Sequence, residues 1–146
     1  MVEYKADSGF TLIEIVLILV LLAVAGVIAA PAIRPALDSV RAEAAARRTA
    51  SFLDDARRRA VLERKVLVVR CSLDEGRLAL LGAASGERVY QVPDAVAIVS
   101  CRPGEVRYFP QGSSSGMTLL LRDTRGRERS LSVGTFTGLS RIDATP

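Results

Sequence analysis

Positions 10–30 form an apolar run in which Glu14 is the single charge. At about 1.5 Å of rise per residue a helix of this length spans roughly 30 Å, the thickness of a bilayer's hydrocarbon core. A charged side chain in that setting costs on the order of 2.5–3.5 kcal/mol on insertion scales. Glu14 therefore demands a partner, and the identity of that partner directs the functional reading. A plain secretory signal does not fit, because its apolar core is shorter and Pro31 follows the small residues at Ala29-Ala30 where cleavage would fall. A generic single-pass anchor accounts for the length but for neither Gly9-Phe10 nor Glu14.

The rest of the chain bounds the answer further. Of 146 residues, those beyond the apolar run suffice for one domain with a modest core. The formal charge is +4, nearly all of the positive side being arginine. Such an excess permits contact with nucleic acid or anionic lipid without requiring either. There is no histidine, and the only thiols are Cys71 and Cys101. Their spacing suits neither zinc, haem nor an iron–sulfur cluster, so no cofactor or metal is expected. The cysteines leave two readings open: two separate buried thiols, or one disulfide that would stabilise the domain by roughly 3–4 kcal/mol. Ser113, Ser114 and Ser115 have no candidate base, and the adjacent acids Asp54 and Asp55 do not face each other on a helix. No catalytic residue is expected, and the chain does not read as an enzyme.

The stretch Gly9-Phe10-Thr11-Leu12-Ile13-Glu14 resembles the prepilin motif of type IV pilins and type II secretion pseudopilins. That resemblance implies cleavage by prepilin peptidase between Gly9 and Phe10, N-methylation of Phe10, and a filament-assembly role for Glu14. The chemistry is consistent. Glycine leaves the backbone open to a protease, and cutting creates an amine that a carboxylate of a neighbouring subunit neutralises in lipid. The flanking charges, Lys5 among Glu3 and Asp7 before the run and Arg34 and Arg41 after it, do not fix the topology by the positive-inside rule. The resemblance implies a single pass of the bacterial inner membrane with the C-terminal domain in the periplasm. The acidic leader departs from the family's usual basic one.

Beyond the run, Pro31 and Pro35 predict a bend or local melting near 30–36. Residues 38–64 are rich in alanine and arginine, good helix formers. Ala42, Ala46, Thr49, Leu53, Ala56 and Ala60 recur at spacings of three and four, giving one apolar stripe with the arginines largely off it. Glu43–Arg47, Asp54–Arg58 and Asp55–Arg59 are expected i,i+4 pairs. From Val66 onward the texture is β, with strands expected at 66–71, 77–81, 88–92, 96–101, 105–109, 117–122, 127–133 and 136–142. The Gly/Ser-rich segment Gln111–Gly116 reads as a long, mobile loop available for contacts. The divisions are a leader at 1–9, a transmembrane half-helix at 10–30, an amphipathic half-helix at 31–64 and a β domain at 65–146. The fold class is α+β, pilin-like, with the long N-terminal helix packed on an antiparallel sheet.

Two further stretches sharpen the likeness. Leu53-Asp54-Asp55-Ala56-Arg57-Arg58-Arg59-Ala60-Val61 with Val66-Leu67-Val68, and Tyr108-Phe109-Pro110-Gln111-Gly112-Ser113-Ser114-Ser115-Gly116 with Thr137-Gly138, resemble the GspH/FimT group. That group contains the minor pseudopilin H of type II secretion and related minor pilins. Leu139 stands where the group often has arginine. The resemblance implies a minor pseudopilin near the tip of a periplasmic pseudopilus that exports folded proteins across the outer membrane. Its partners would be major and minor pseudopilins, prepilin peptidase, the inner membrane and secreted cargo. A second reading is a type IV minor pilin that binds DNA for uptake through the arginines at 47–48 and 57–59. Aromatics make up only 5% of the chain and are not interleaved with those arginines. Single strands thus lack a stacking platform, and nucleic acid is not the expected partner.

Overall fold

The computed structural model describes residues 11–144, with side chains at 28–36 and at 144 outside that description. The chain divides between Leu37 and Asp38 into two units. Helix α1 runs from Leu12 to Glu63. It opens on Thr11, whose hydroxyl accepts from the Glu14 N–H at 3.3 Å and whose carbonyl accepts from the same N–H at 3.1 Å. Thr11 thus caps the first turn, and Thr-x-x-Glu is the spacing of a capping box. The helix ends at Arg64, a left-handed residue with φ 52°, and the Lys65 N–H closes back on the Ala60 carbonyl at 3.2 Å. This is a Schellman stop, made with arginine where glycine is usual. The helical assignment is unbroken through Pro31 and Pro35, so the melting expected at 30–36 does not occur. Each proline deletes one N–H donor, and the ladder on either side sustains the helix.

Eight strands follow: β1 (Leu67–Ser72), β2 (Arg77–Leu81), β3 (Arg88–Gln91), β4 (Val96–Arg102), β5 (Glu105–Tyr108), β6 (Met117–Asp123), β7 (Glu128–Val133) and β8 (Ser140–Ala144). They form two four-stranded antiparallel sheets, ordered β3-β2-β1-β5 and β4-β6-β7-β8. The single sheet expected from the sequence is therefore two. The division falls at Pro103-Gly104: β4 pairs with β6, whereas β5 pairs with β1. Proline offers no N–H to continue a ladder. The last strand begins four residues later than expected, because Gly134–Leu139 closes a turn through Gly134 N–H to Leu139 O (3.0 Å) and Gly138 N–H to Gly134 O (2.8 Å).

From Asp38 on, α1 packs against the inner faces of both sheets. Ala42, Ala46, Thr49, Leu53, Ala56 and Ala60 are all fully buried, so the stripe read from the sequence is the packing face. Its small side chains let the sheets approach closely. They meet Leu67 and Val69 of β1, Leu78 and Leu80 of β2, and Val106 and Tyr108 of β5 in one core with Met117, Leu119, Leu121, Leu131 and Val133. The β6–β7 register sets Leu119 opposite Leu131 and Met117 opposite Val133, as period-two alternation requires. Each large aliphatic buried here contributes about 1.5–3 kcal/mol. Phe52 stacks on Tyr90 of β3 with centroids 5.4 Å apart.

Candidate assembly site

Every side chain from Thr11 to Val27 is exposed, with Leu12 and Ile13 at 83% and 77%. Soluble monomers do not ordinarily present a continuous apolar surface of this kind, and Glu14 is its only charge. Gly9 and Phe10, the expected cleavage and methylation positions, lie outside the described residues. Among the described residues no helix is long and apolar enough to cross a membrane. Of the expected span at 10–30, side chains are described only from 11 to 27.

A second assembly of residues lies in the β domain, where the Gly/Ser segment expected to be mobile is held instead. Gly112 N–H donates to Phe109 O (2.8 Å), Phe109 N–H to Ser113 O (3.0 Å), and Ser114 N–H to Thr135 O (2.8 Å). The Ser114 hydroxyl donates to Gly134 O at 2.9 Å and accepts from Gly116 N–H at 3.0 Å. Ser115 exchanges bonds with Arg107 of β5, N–H to carbonyl at 2.9 Å and backbone N–H to Oγ at 3.0 Å. Arg57 reaches from α1 to donate its Nε to Gly112 O at 2.9 Å. Gly112 (φ +91°) and Gly138 (φ +61°) both adopt left-handed backbone, and a Cβ on Gly138 would collide with the Gly112 carbonyl and crowd Arg57. The two parts of the second stretch that carried the family likeness, 108–116 and 137–138, thus meet in one knot tied to the helix. The expectation of a mobile loop is corrected: these serines and glycines serve the backbone.

The helix charges are distributed differently from the simple i,i+4 expectation. Glu43–Arg47 (3.0 Å) and Asp55–Arg59 (2.8 Å) form. Asp54 instead accepts the N–H and hydroxyl of Ser140 at 3.0 and 2.7 Å, pinning the start of β8. Arg58 turns to Asp55, which Arg88 of β3 also reaches at 2.9 Å. Hydrogen bonding from Arg59 holds the Asp55 carboxyl below its ordinary pKa despite partial burial. Arg47 lowers that of Glu43, which also pairs with Arg129 of β7. Burial pushes the Tyr108 phenol up, with the Asp54 charge adding to it. Most of the arginines that suggested nucleic acid are thus committed within the domain. Cys71 on β1 and Cys101 on β4 are joined as a disulfide, Cα atoms 6.5 Å apart. Sequence reasoning missed the Thr11 cap, although Thr-x-x-Glu is legible, and missed the reach of Arg57, which no local pattern announces.

A helix carrying an exposed apolar N-terminal segment and continuing into an antiparallel two-sheet domain is the pilin-like α+β fold. Among solved structures the chain is similar to the minor pseudopilin EpsH of the type 2 secretion system of Vibrio cholerae. That likeness has 17% identity and a TM-score of 0.57, and covers 71% of this chain and 97% of that one. It is also similar to the type IV minor pilin FimU of Pseudomonas aeruginosa PAO1 in two crystal forms. These give 19% identity, TM-scores of 0.53 and 0.54, and coverage of 71% of this chain and 92% and 87% of those. The likeness is one of fold. No protein-family model matches the chain, and no characterised protein matches it in sequence.

Proposed function

We propose that this chain is a minor pseudopilin: a structural, non-enzymatic subunit of a type II secretion pseudopilus, inserted at or near its tip. The observation that carries the reading is the exposed apolar helix surface from Thr11 to Val27, bearing the lone acid Glu14, on a fold shared with a minor pseudopilin. In this reading residues 10–30 cross the inner membrane once and the β domain lies in the periplasm. Neighbouring subunits bury the apolar surface side by side. Prepilin peptidase cuts at Gly9–Phe10, Phe10 is methylated, and Glu14 neutralises the Phe10 amine of a neighbour. Low dielectric favours that pairing, since an unmatched carboxylate in lipid is costly.

The type IV pilus reading has equal support from fold, through FimU, but its DNA-binding form is weakened by the arginines. Arg57 serves Gly112, while Arg58, Arg59 and Arg88 converge on Asp55. The test is twofold. Mass spectrometry of the processed protein should show N-methyl-Phe10 as its first residue, and Met1 retained in a host with prepilin peptidase would refute the pilin reading. Glu14→Ala should be processed normally but enter filaments roughly tenfold less than wild type. The subunits recovered with the wild-type chain then distinguish a pseudopilus from a pilus.

A further inference from the structure

A sheet edge invites a further strand, because its outer backbone groups have no partner. The two sheets end on β3, β5, β4 and β8, and three of these edges are guarded or lack a charge to match. Ser114 bridges Tyr108 on β5, and Ser115 exchanges bonds with Arg107, so that edge is covered. A bulge between Ile98 and Ser100 interrupts β4, and bulges spoil edge pairing. β3 has four residues and a single charge, Arg88, which Asp55 already engages. β8 has none of these defences.

The outward groups of β8 follow from its bonds. The Leu139 carbonyl accepts the Gly134 N–H and so faces β7. Antiparallel backbone alternates, which turns the backbone groups of Arg141 and Asp143 toward β7 and those of Ser140, Ile142 and Ala144 away. The Ser140 N–H agrees, since it donates to Asp54 of α1 at 3.0 Å. The Ile142 N–H and carbonyl therefore point to the open edge, where a groove of about 610 Å³ separates β8 from α1. The Ile142 side chain packs against the core, while Arg141 and Asp143 are exposed on the other face. Neither takes part in an ion pair among the described residues.

We infer that β8 pairs with β8 of a second copy of this chain, antiparallel and centred on Ile142. Charge complementarity identifies the occupant. In that register Arg141 of each copy stands opposite Asp143 of the other, so the strand is its own complement. Registers centred on Arg141 or on Asp143 set like charges opposite each other and are disfavoured. The outward backbone groups agree with the same register. The two Ile142 residues exchange both of their hydrogen bonds. The Arg141–Asp143 pairs then fall at the positions without hydrogen bonds, where opposed side chains lie closest, with Cα atoms about 4.5 Å apart. The four-stranded sheet becomes eight strands across the twofold axis. Such a contact uses the same patch on both copies and closes at the dimer, whereas a helical filament repeats a contact between different patches. The dimer is thus a state outside the filament, and the inference does not rest on the filament reading.

The test is analytical ultracentrifugation of the full chain in detergent micelles at low salt. Wild type should dimerise reversibly. Arg141→Asp and Asp143→Arg should each weaken the dimer roughly tenfold, because both cross-strand pairs change from attraction to repulsion. Circular dichroism and thermal melting should stay unchanged, since both side chains are exposed. Two restorations are specific to this register. The double variant Arg141→Asp/Asp143→Arg should dimerise like wild type. An equimolar mixture of the two single variants, differently tagged, should form the mixed dimer that neither makes alone, since one copy then carries two acids and the other two arginines. A monomeric wild type overturns the proposal. Single variants that dimerise as well as wild type overturn it too, because the contact then lies elsewhere, as on the apolar helix. Weakened single variants that neither the double substitution nor mixing restores overturn the twofold register.

Discussion

Tyr108 and Gly138 show how single residues carry the domain's architecture. Tyr108 is fully buried on β5, and its hydroxyl has no hydrogen-bond partner among the described residues. A buried unpaired hydroxyl adds desolvation without return, so Tyr108→Phe should be neutral or stabilising, within about 1 kcal/mol in urea denaturation. A loss of about 2 kcal/mol or more would mean that the hydroxyl has a partner. Gly138 is the opposite case. Its left-handed backbone and the nearness of the Gly112 carbonyl leave no room for a methyl group. Gly138→Ala should cost about 2 kcal/mol or more, read as a lower thermal midpoint, whereas Gly126→Ala, whose Cβ would meet open space, should cost only its backbone strain. Neither role follows from neighbouring sequence. Gly138 is constrained by Gly112, and Arg57, 55 positions from Gly112, ties both to the helix. Asp54 and Asp55 make the same point: identical side chains side by side, one sent to β8 and the other to three arginines by the tertiary structure.

Elements whose signals are local were legible, and the β6–β7 hairpin is the clearest. Its turn is organised by Asp123, whose Oδ1 accepts the N–H groups of Arg125 and Arg127 at 2.9 Å and whose Oδ2 accepts Arg127 Nε at 2.7 Å. Burial acts to raise the Asp123 pKa, but the Arg127 backbone and guanidinium with the Arg125 N–H outweigh it, and the net shift is downward. A carboxyl depressed on folding stabilises the protein above its unfolded pKa, and that contribution is lost as pH falls through the folded value. Asp123→Asn should therefore cost about 1–3 kcal/mol at neutral pH, with the gap to wild type closing as the pH is lowered below about 4. A gap independent of pH would show that shape rather than charge matters at this turn. The sequence located β1 to β7 to within two residues at either end because alternation and turn residues act over a few positions. β8 was displaced because Phe136, a good strand former, lies in the 134–139 turn that tertiary hydrogen bonds close. The division into two sheets was not legible at all. Pro103-Gly104 reads as an ordinary hairpin turn, and nothing local says that β4 and β5 take different neighbours.

At the scale of the whole β domain, two sheets sharing one helix face raise the question of what keeps them in register with each other. The helix contributes Phe52 against β3, Asp54 against β8 and Glu43 against β7, and the knot at Gly112 ties the β5–β6 connection to α1. These contacts all run through the helix. The disulfide does not: Cys71 lies on β1 of one sheet and Cys101 on β4 of the other, 30 positions apart. It joins the sheets directly, beside the point where the Gly104 carbonyl accepts the Cys71 N–H at 2.9 Å. Closing a loop of this length restricts the unfolded chain by roughly 3–4 kcal/mol in the chain-entropy account. Cys71→Ala/Cys101→Ala should lower unfolding stability by about that amount, and dithiothreitol should lower the wild-type midpoint while leaving the variant's unchanged. The helix-mediated contacts remain in the variant, so the domain should still fold, with far-ultraviolet circular dichroism like that of wild type. If the double variant matches wild-type stability, the helix contacts and the bonds from Ser114 to Gly134 and Thr135 set the arrangement of the sheets without the disulfide. If it fails to fold, the disulfide carries more of that task than loop closure provides.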